Sequence, residues 1–137
     1  MLDLDNLIKE SKETPRGKKT ALQLFDECRK DCEQKYQNII IITINPCLEF
    51  WFLLHFIKTS KSIDKCSEAE SLLKKHLSDY KKSQKYLCRQ NYDIYLKLKP
   101  YIKTAINNSP ALGNYDSQNP NKALCEMYLL FQTIAIL

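Results

Sequence analysis

The chain has 137 residues, about one domain's worth, and carries 21 Lys and Arg against 16 Asp and Glu, a formal net charge of +5. With 44% hydrophobic and 10% aromatic residues it can bury a core, which excludes wholesale disorder. Two Gly and five Pro exclude collagen, a flexible linker and a sandwich of many short strands, and leave a compact, helix-rich domain.

Residues 1–5 alternate, with Leu2 and Leu4 on one face and Asp3 and Asp5 on the other, the pattern of a short strand. The N-terminus lacks the basic-then-apolar order of a signal peptide. The longest apolar runs, residues 39–44 and 47–57, are too short to cross a bilayer, and the second contains Glu49 and His55. A cytoplasmic protein with no membrane segment is expected, its six cysteines (Cys28, Cys32, Cys47, Cys66, Cys88, Cys125) reduced.

Residues 18–36 place Ala21, Leu24, Phe25, Cys28 and Cys32 at spacings of three and four, an amphipathic helix. Residues 38–44 are β-branched and apolar on both faces, which suits a parallel strand covered by helices. Asn45 and Pro46 read as N-cap and first position of a helix over residues 46–56. That helix is apolar nearly all round, so it must be buried and any charge on it needs a partner. Ser67 and Glu70 fit a capping box opening a short helix through Leu77. Residues 79–85 form a polar, basic connector. Residues 92–107 have helical spacing with a kink at Pro100, residues 108–119 read as a loop, and Asn119 caps a last helix with Ala123, Leu124, Met127, Leu130, Phe131 and Ile134 on one face. The fold class is therefore α/β, a partial parallel βαβ sheet over residues 1–58 followed by a helical part over residues 59–137. Two strands alone leave both sheet edges open, and further strands are not visible in the pattern.

Five features bear on chemistry. Asp3 and Asp5, two apart on a strand, can converge on one hard cation where the strand ends, the equipment for phosphoryl-transfer chemistry; the alternative is solvated charge. Glu49 stands in the first turn of an otherwise apolar helix, where amide dipoles favour an anion whether or not it has a further role. His55 is about 240° around that helix from Glu49 and reads as structural. Cys28 and Cys32 are one turn apart, but no C-x-x-C pair exists, so buried apolar thiols fit better than a zinc site. Lys74, Lys75, Lys81, Lys82 and Lys85, with Tyr80 and Tyr86 interleaved, could attract phosphates, although Glu68, Glu70 and Asp79 dilute the patch and favour a solvated face.

The string TINPCLEFWFLLHF at residues 43–56 resembles the characteristic S-N-P-C-F-E-L-W-L-L-L-H-F block of RloB-like proteins, with Leu48 where the family usually has Phe. LDLDN at residues 2–6 resembles the family's strand ending in an aspartate pair, and Asp79-Tyr80-Lys81-Lys82 its Y-x-K. The resemblance implies a Toprim-like fold, a Mg²⁺-dependent nuclease (Mn²⁺ being the alternative ion) and a place in bacterial anti-phage defence, linked to restriction-modification genes or a partner ATPase. It maps Asp3, Asp5 and Glu49 onto metal-site positions, and Glu49 and Lys82 onto catalytic ones. The family's early glutamate should precede Asp3, where this sequence has only Met1 and Leu2, so the expectation is a fragment, a chain whose natural start is lost or misassigned, or a shortened relative lacking that strand and motif. Two functions stay open: a nuclease acting on DNA or RNA, and a non-catalytic module that binds a partner ATPase or self-associates through an open sheet edge.

Overall fold

Leu4, Leu7 and Ile8 lie at spacings of three and four, a helical stripe that overrides the strand alternation of the first five residues. In the computed structural model, which describes residues 2–59 and 63–134, the N-terminal strand is limited to β1 (Leu2–Asp3), and Met1 lies outside the described residues. The chain then enters α1 (Leu4–Glu13). Asp3 is thereby the N-cap of a helix and Asp5 belongs to its first turn, so the two acids do not share a strand face as expected.

Thr20 opens α2 (Ala21–Lys35) with a reciprocal capping box: its side chain accepts from the Gln23 amide while the Gln23 side chain accepts from the Thr20 amide. The helix lies inside its expected span of residues 18–36, beginning three residues later, and turns a different face inward. Leu24 and Cys28 are exposed, while Phe25 and Arg29 lie against the Tyr115 ring at 5.4 and 5.1 Å. Arg29 is turned inward because its guanidinium lies 3.7 Å from the buried carboxylate of Glu126.

The central strand β2 (Thr43–Asn45) is shorter than the apolar run 38–44. Ile39 and Ile40 are exposed, since β1 offers only Leu2 and Asp3 to pair, in parallel, with Thr43 and Ile44. On its other side β2 pairs antiparallel with β3 (Leu124–Cys125). β3 is the additional strand that the pattern hid, drawn from a segment expected to be helical. Leu124 and Cys125 are fully buried with their backbone paired to β2, and α8 (Met127–Ile134) starts only beyond Glu126.

Asn45 does not cap a helix either. It is held in β2 opposite Leu124, with its side-chain amide donating to the Lys122 carbonyl at 2.9 Å, and the Asn45–Pro46 bond is cis. The next helix, α3 (Leu48–Leu54), has Cys47 at its N-cap and buries every residue from Glu49 to Leu54. Around it lie α4 (Cys66–Leu73), α5 (Gln84–Leu87), α6 (Ile94–Leu98) and α7 (Ile102–Asn108). α4 starts one residue before Ser67, with Lys65 at its N-cap, so the expected capping box does not form. α6 and α7 are separated by a 3-10 turn containing Pro100, as its ring requires. Asn108 donates to the Leu54 and Ile57 carbonyls at 2.9 and 3.0 Å, satisfying acceptors that the end of α3 leaves open.

The fold is mixed α/β, with Phe50, Trp51, Leu53 and Leu54 of α3 at the heart of a core that reaches Leu73, Leu98, Ala105 and Leu112. Among the described residues, no helix is long and apolar enough to cross a membrane.

Candidate functional site

Parallel pairing of β1 with β2 sets the end of β1 beside the turn that enters α3. Asp3 lies there, partly buried, with a hydrogen bond to the Leu48 backbone. Burial raises its carboxyl above the ordinary aspartate value; the Leu48 bond opposes this, the Asp5 and Glu49 carboxylates add to it, and Lys82 offsets it in part. Its Oδ1 is buried with no hydrogen-bond partner. Asp5, Glu49 and Lys82 thus each lie within electrostatic reach of Asp3. Asp5 also faces a groove of about 670 Å³ shared with Asn45, Asp64, Lys65 and Lys122.

Glu49 is 2% exposed and has the partners that its burial demands. The Tyr80 hydroxyl donates to its Oε1 at 3.0 Å, and the Lys82 Nζ lies 3.1 Å from Oε1 and 3.3 Å from Oε2. The Lys82 side chain is 59% exposed, so one end of this pair is in the core and the other in solvent. Tyr80 is itself buried, and its hydroxyl is pushed well above the usual tyrosine value by that burial and by the Glu49 carboxylate. Sequence pattern placed Tyr80 on a polar connector and missed its role. The available signal was an apolar helix bearing one acid, which needs buried donors from elsewhere.

The cysteines depart from the reduced state expected of all six. Cys47, at the N-cap of α3, is disulfide-bonded to Cys66, the first residue of α4. The bond lies against the same cluster, with Cys66 Sγ 3.4 Å from Glu49 Oε2 and 3.8 Å from Lys82 Nζ. Of the free thiols, Cys28 and Cys88 are exposed, Cys32 is half-buried, and only Cys125 is the buried thiol foreseen, burial pushing its pKa up to about 12. His55 is structural, as its lone position suggested: its Nδ1 lies 3.0 Å from the Trp51 carbonyl, its ring meets Trp51 edge-on, and burial lowers its pKa.

In the basic stretch, Lys74 pairs with Glu70 at 2.6 Å, and Lys81 and Lys85 line a groove of about 440 Å³ with Asp79, Tyr86 and Arg89. The charge of Asp79 is taken by Lys97 at 2.6 Å, so the cations facing that groove outnumber its free acids.

A second buried glutamate, Glu126, was not visible in the sequence. It follows β3 and is 0% exposed. It accepts from the Thr43 amide (2.9 Å), the Thr43 hydroxyl (2.6 Å) and the Tyr115 amide (2.9 Å). It ties β2, α2 and the loop around Tyr115 together.

Carboxylates such as those of Asp3 and Asp5 are the type of ligand that hard divalent ions take. Mg²⁺ commonly uses one or two carboxylates and completes its shell with water and substrate phosphate, and the unpartnered Asp3 Oδ1 is a buried acceptor with nothing to receive. The carboxylates of Asp3, Asp5 and Glu49 do not close into a tight triad. Among the described residues, the one group of three such side chains whose ligand atoms all lie within 4.8 Å of one another is Cys47, Glu49 and Cys66. No curated protein and no solved structure matches the chain. The family model described as RloB-like protein matches residues 1–134, nearly the whole length, and the chain belongs to that family.

Proposed function

We propose that the chain provides the metal and phosphate-binding part of a divalent-cation-dependent nuclease with a role in bacterial defence. The observation that carries this proposal is the convergence on partly buried Asp3, with its unpartnered Oδ1, of Asp5, Glu49 and Lys82. A bound Mg²⁺ or Mn²⁺ would supply charge stabilisation and a more acidic water. Asp3 and Asp5 would hold it. Glu49, with both oxygens already engaged by Tyr80 and Lys82, positions the lysine. The exposed Lys82 ammonium is then available to a phosphate oxygen arriving from solvent, as a point charge. The Lys81, Lys85 and Arg89 groove offers a nucleic-acid backbone counter-charges near this point.

The test is cleavage of labelled single-stranded and duplex DNA and RNA with Mg²⁺ or Mn²⁺. Cleavage that chelator abolishes and that falls by about 10²-fold or more in Asp3→Asn, Asp5→Asn and Lys82→Met supports the reading. Cleavage that all three variants leave intact contradicts it. A second reading, a module docking to a partner ATPase or a second copy, draws on exposed Leu2, Ile39 and Ile40 near the β1 edge. A sedimentation series showing a monomer at every concentration would count against self-association.

A further inference from the structure

We propose that reduction of the Cys47–Cys66 disulfide opens a second, softer metal site, in which the two thiolates and the Glu49 carboxylate bind a thiophilic divalent cation of the zinc class. The three donors come from two rigidly opposed elements: Cys47 and Glu49 from the start of α3, Cys66 from the start of α4. Their ligand atoms all lie within 4.8 Å of one another, with Cys47 and Glu49 buried and Cys66 half-buried. Zinc binds sulfur at about 2.3 Å and carboxylate oxygen at about 2.0–2.2 Å, so ligands on one ion stand under about 4.6 Å apart, and small side-chain rotations suffice. Two sulfurs and one carboxylate select zinc over magnesium, and a fourth tetrahedral position is left for water.

The chemistry balances with a dithiol reductant. Its two thiols become a disulfide as the Cys47–Cys66 bond takes up two electrons and two protons to give two thiols. Metal binding then releases those two protons to solvent. Lys82, now 3.1 Å from Glu49 and 3.8 Å from Cys66, has a side chain 59% exposed and can turn outward when the ion takes the carboxylate. Glu49 thereby has two alternative cations, the lysine in the disulfide form and the metal in the reduced form. Cys28 and Cys32 form no comparable group.

Because Glu49 also belongs to the proposed nuclease site, the test keeps the two apart. Co²⁺ is the probe, titrated anaerobically into wild-type protein in its disulfide form and after reduction. On reduction the protein should gain one Co²⁺ with thiolate-to-cobalt charge-transfer bands and the visible bands of a tetrahedral ion, and the disulfide form should show neither set of bands. Cys66→Ser should abolish the charge-transfer bands or halve their intensity, and Glu49→Gln should weaken binding at least about tenfold. Cys28→Ser with Cys32→Ser, and separately Asp3→Asn, should leave the spectrum unchanged. The Asp3 variant distinguishes this site from the nuclease reading, whose failure would show as absent Mn²⁺ binding with the cobalt spectrum intact. No charge-transfer bands in reduced wild type, full bands in Cys66→Ser, or loss of bands in the Cys28/Cys32 variant would overturn the proposal.

Discussion

The molecule buries two glutamates, Glu49 and Glu126, and satisfies them in different ways. Glu126 receives two backbone amides and a hydroxyl from residues fixed in the fold, with Arg29 at 3.7 Å. Glu49 is satisfied by side chains alone, from Tyr80 and Lys82 on an irregular segment, and one of those is largely in solvent. Backbone donors cannot leave without unfolding the sheet, whereas a lysine can. A carboxylate with one solvent-exposed partner can exchange that partner, and the neighbouring Asp3 Oδ1 has no partner to exchange.

The largest effect should come from breaking the fixed cluster. Glu126→Ala strips acceptors from buried donors and leaves Arg29 beside an empty site, so chemical denaturation should show a loss of about 3–5 kcal/mol. An equal loss from Glu49→Ala would erase the distinction, because Lys82 can be solvated once its partner is gone. Tyr80→Phe removes one buried donor from Glu49 and should cost about 1–3 kcal/mol by the same measurement.

Asp3→Asn should have the opposite sign. The Asp3 pKa is raised on folding, chiefly by burial, so the protonated form is the better accommodated one. Folding therefore gains from this group fully below the unfolded value near 3.8, and loses that gain as pH rises through the folded value. Asp3→Asn should thus raise the melting temperature of metal-free protein at pH 7 and leave it little changed at acidic pH. A lower melting temperature at pH 7 would show that the buried acid stabilises the fold. Lys82→Met leaves the buried Glu49 carboxylate with Tyr80 as its remaining partner, so it should cost about 1–3 kcal/mol, less than Glu126→Ala because the lysine itself is mostly solvated. A loss as large as that of Glu126→Ala would make Lys82 as structural as the donors to Glu126.

The same contrast explains what the sequence disclosed. The α3 block was legible because an apolar helix with one acid has few ways to be accommodated, and the family's motifs singled out Glu49 and Lys82, which the structure pairs at 3.1 Å. The parallel pairing of β1 with β2 followed from the strand–helix–strand order. Other contacts across long stretches of chain, with no order or motif to signal them, stayed hidden. Leu124 and Cys125 look helical until β2 is available to pair with them, and Glu126 looks like surface charge until Thr43, 83 residues away, donates to it. The Cys47–Cys66 link could not be chosen from six scattered thiols. At the N-terminus two local patterns competed, and the stripe of Leu4, Leu7 and Ile8 prevailed over alternation because Leu4 is fully buried as the first residue of α1.

The central claim is that Asp3 and Asp5 hold a hard cation beside the Glu49–Lys82 pair, and Mn²⁺ calorimetry near neutral pH with the disulfide intact tests it most directly. Wild type and Glu126→Gln should bind Mn²⁺, while Asp3→Asn and Asp5→Asn should not, with Asp3→Asn at least as thermally stable as wild type so that lost binding is not lost folding. Unchanged Mn²⁺ binding in both aspartate variants, or none in wild type, would contradict the account.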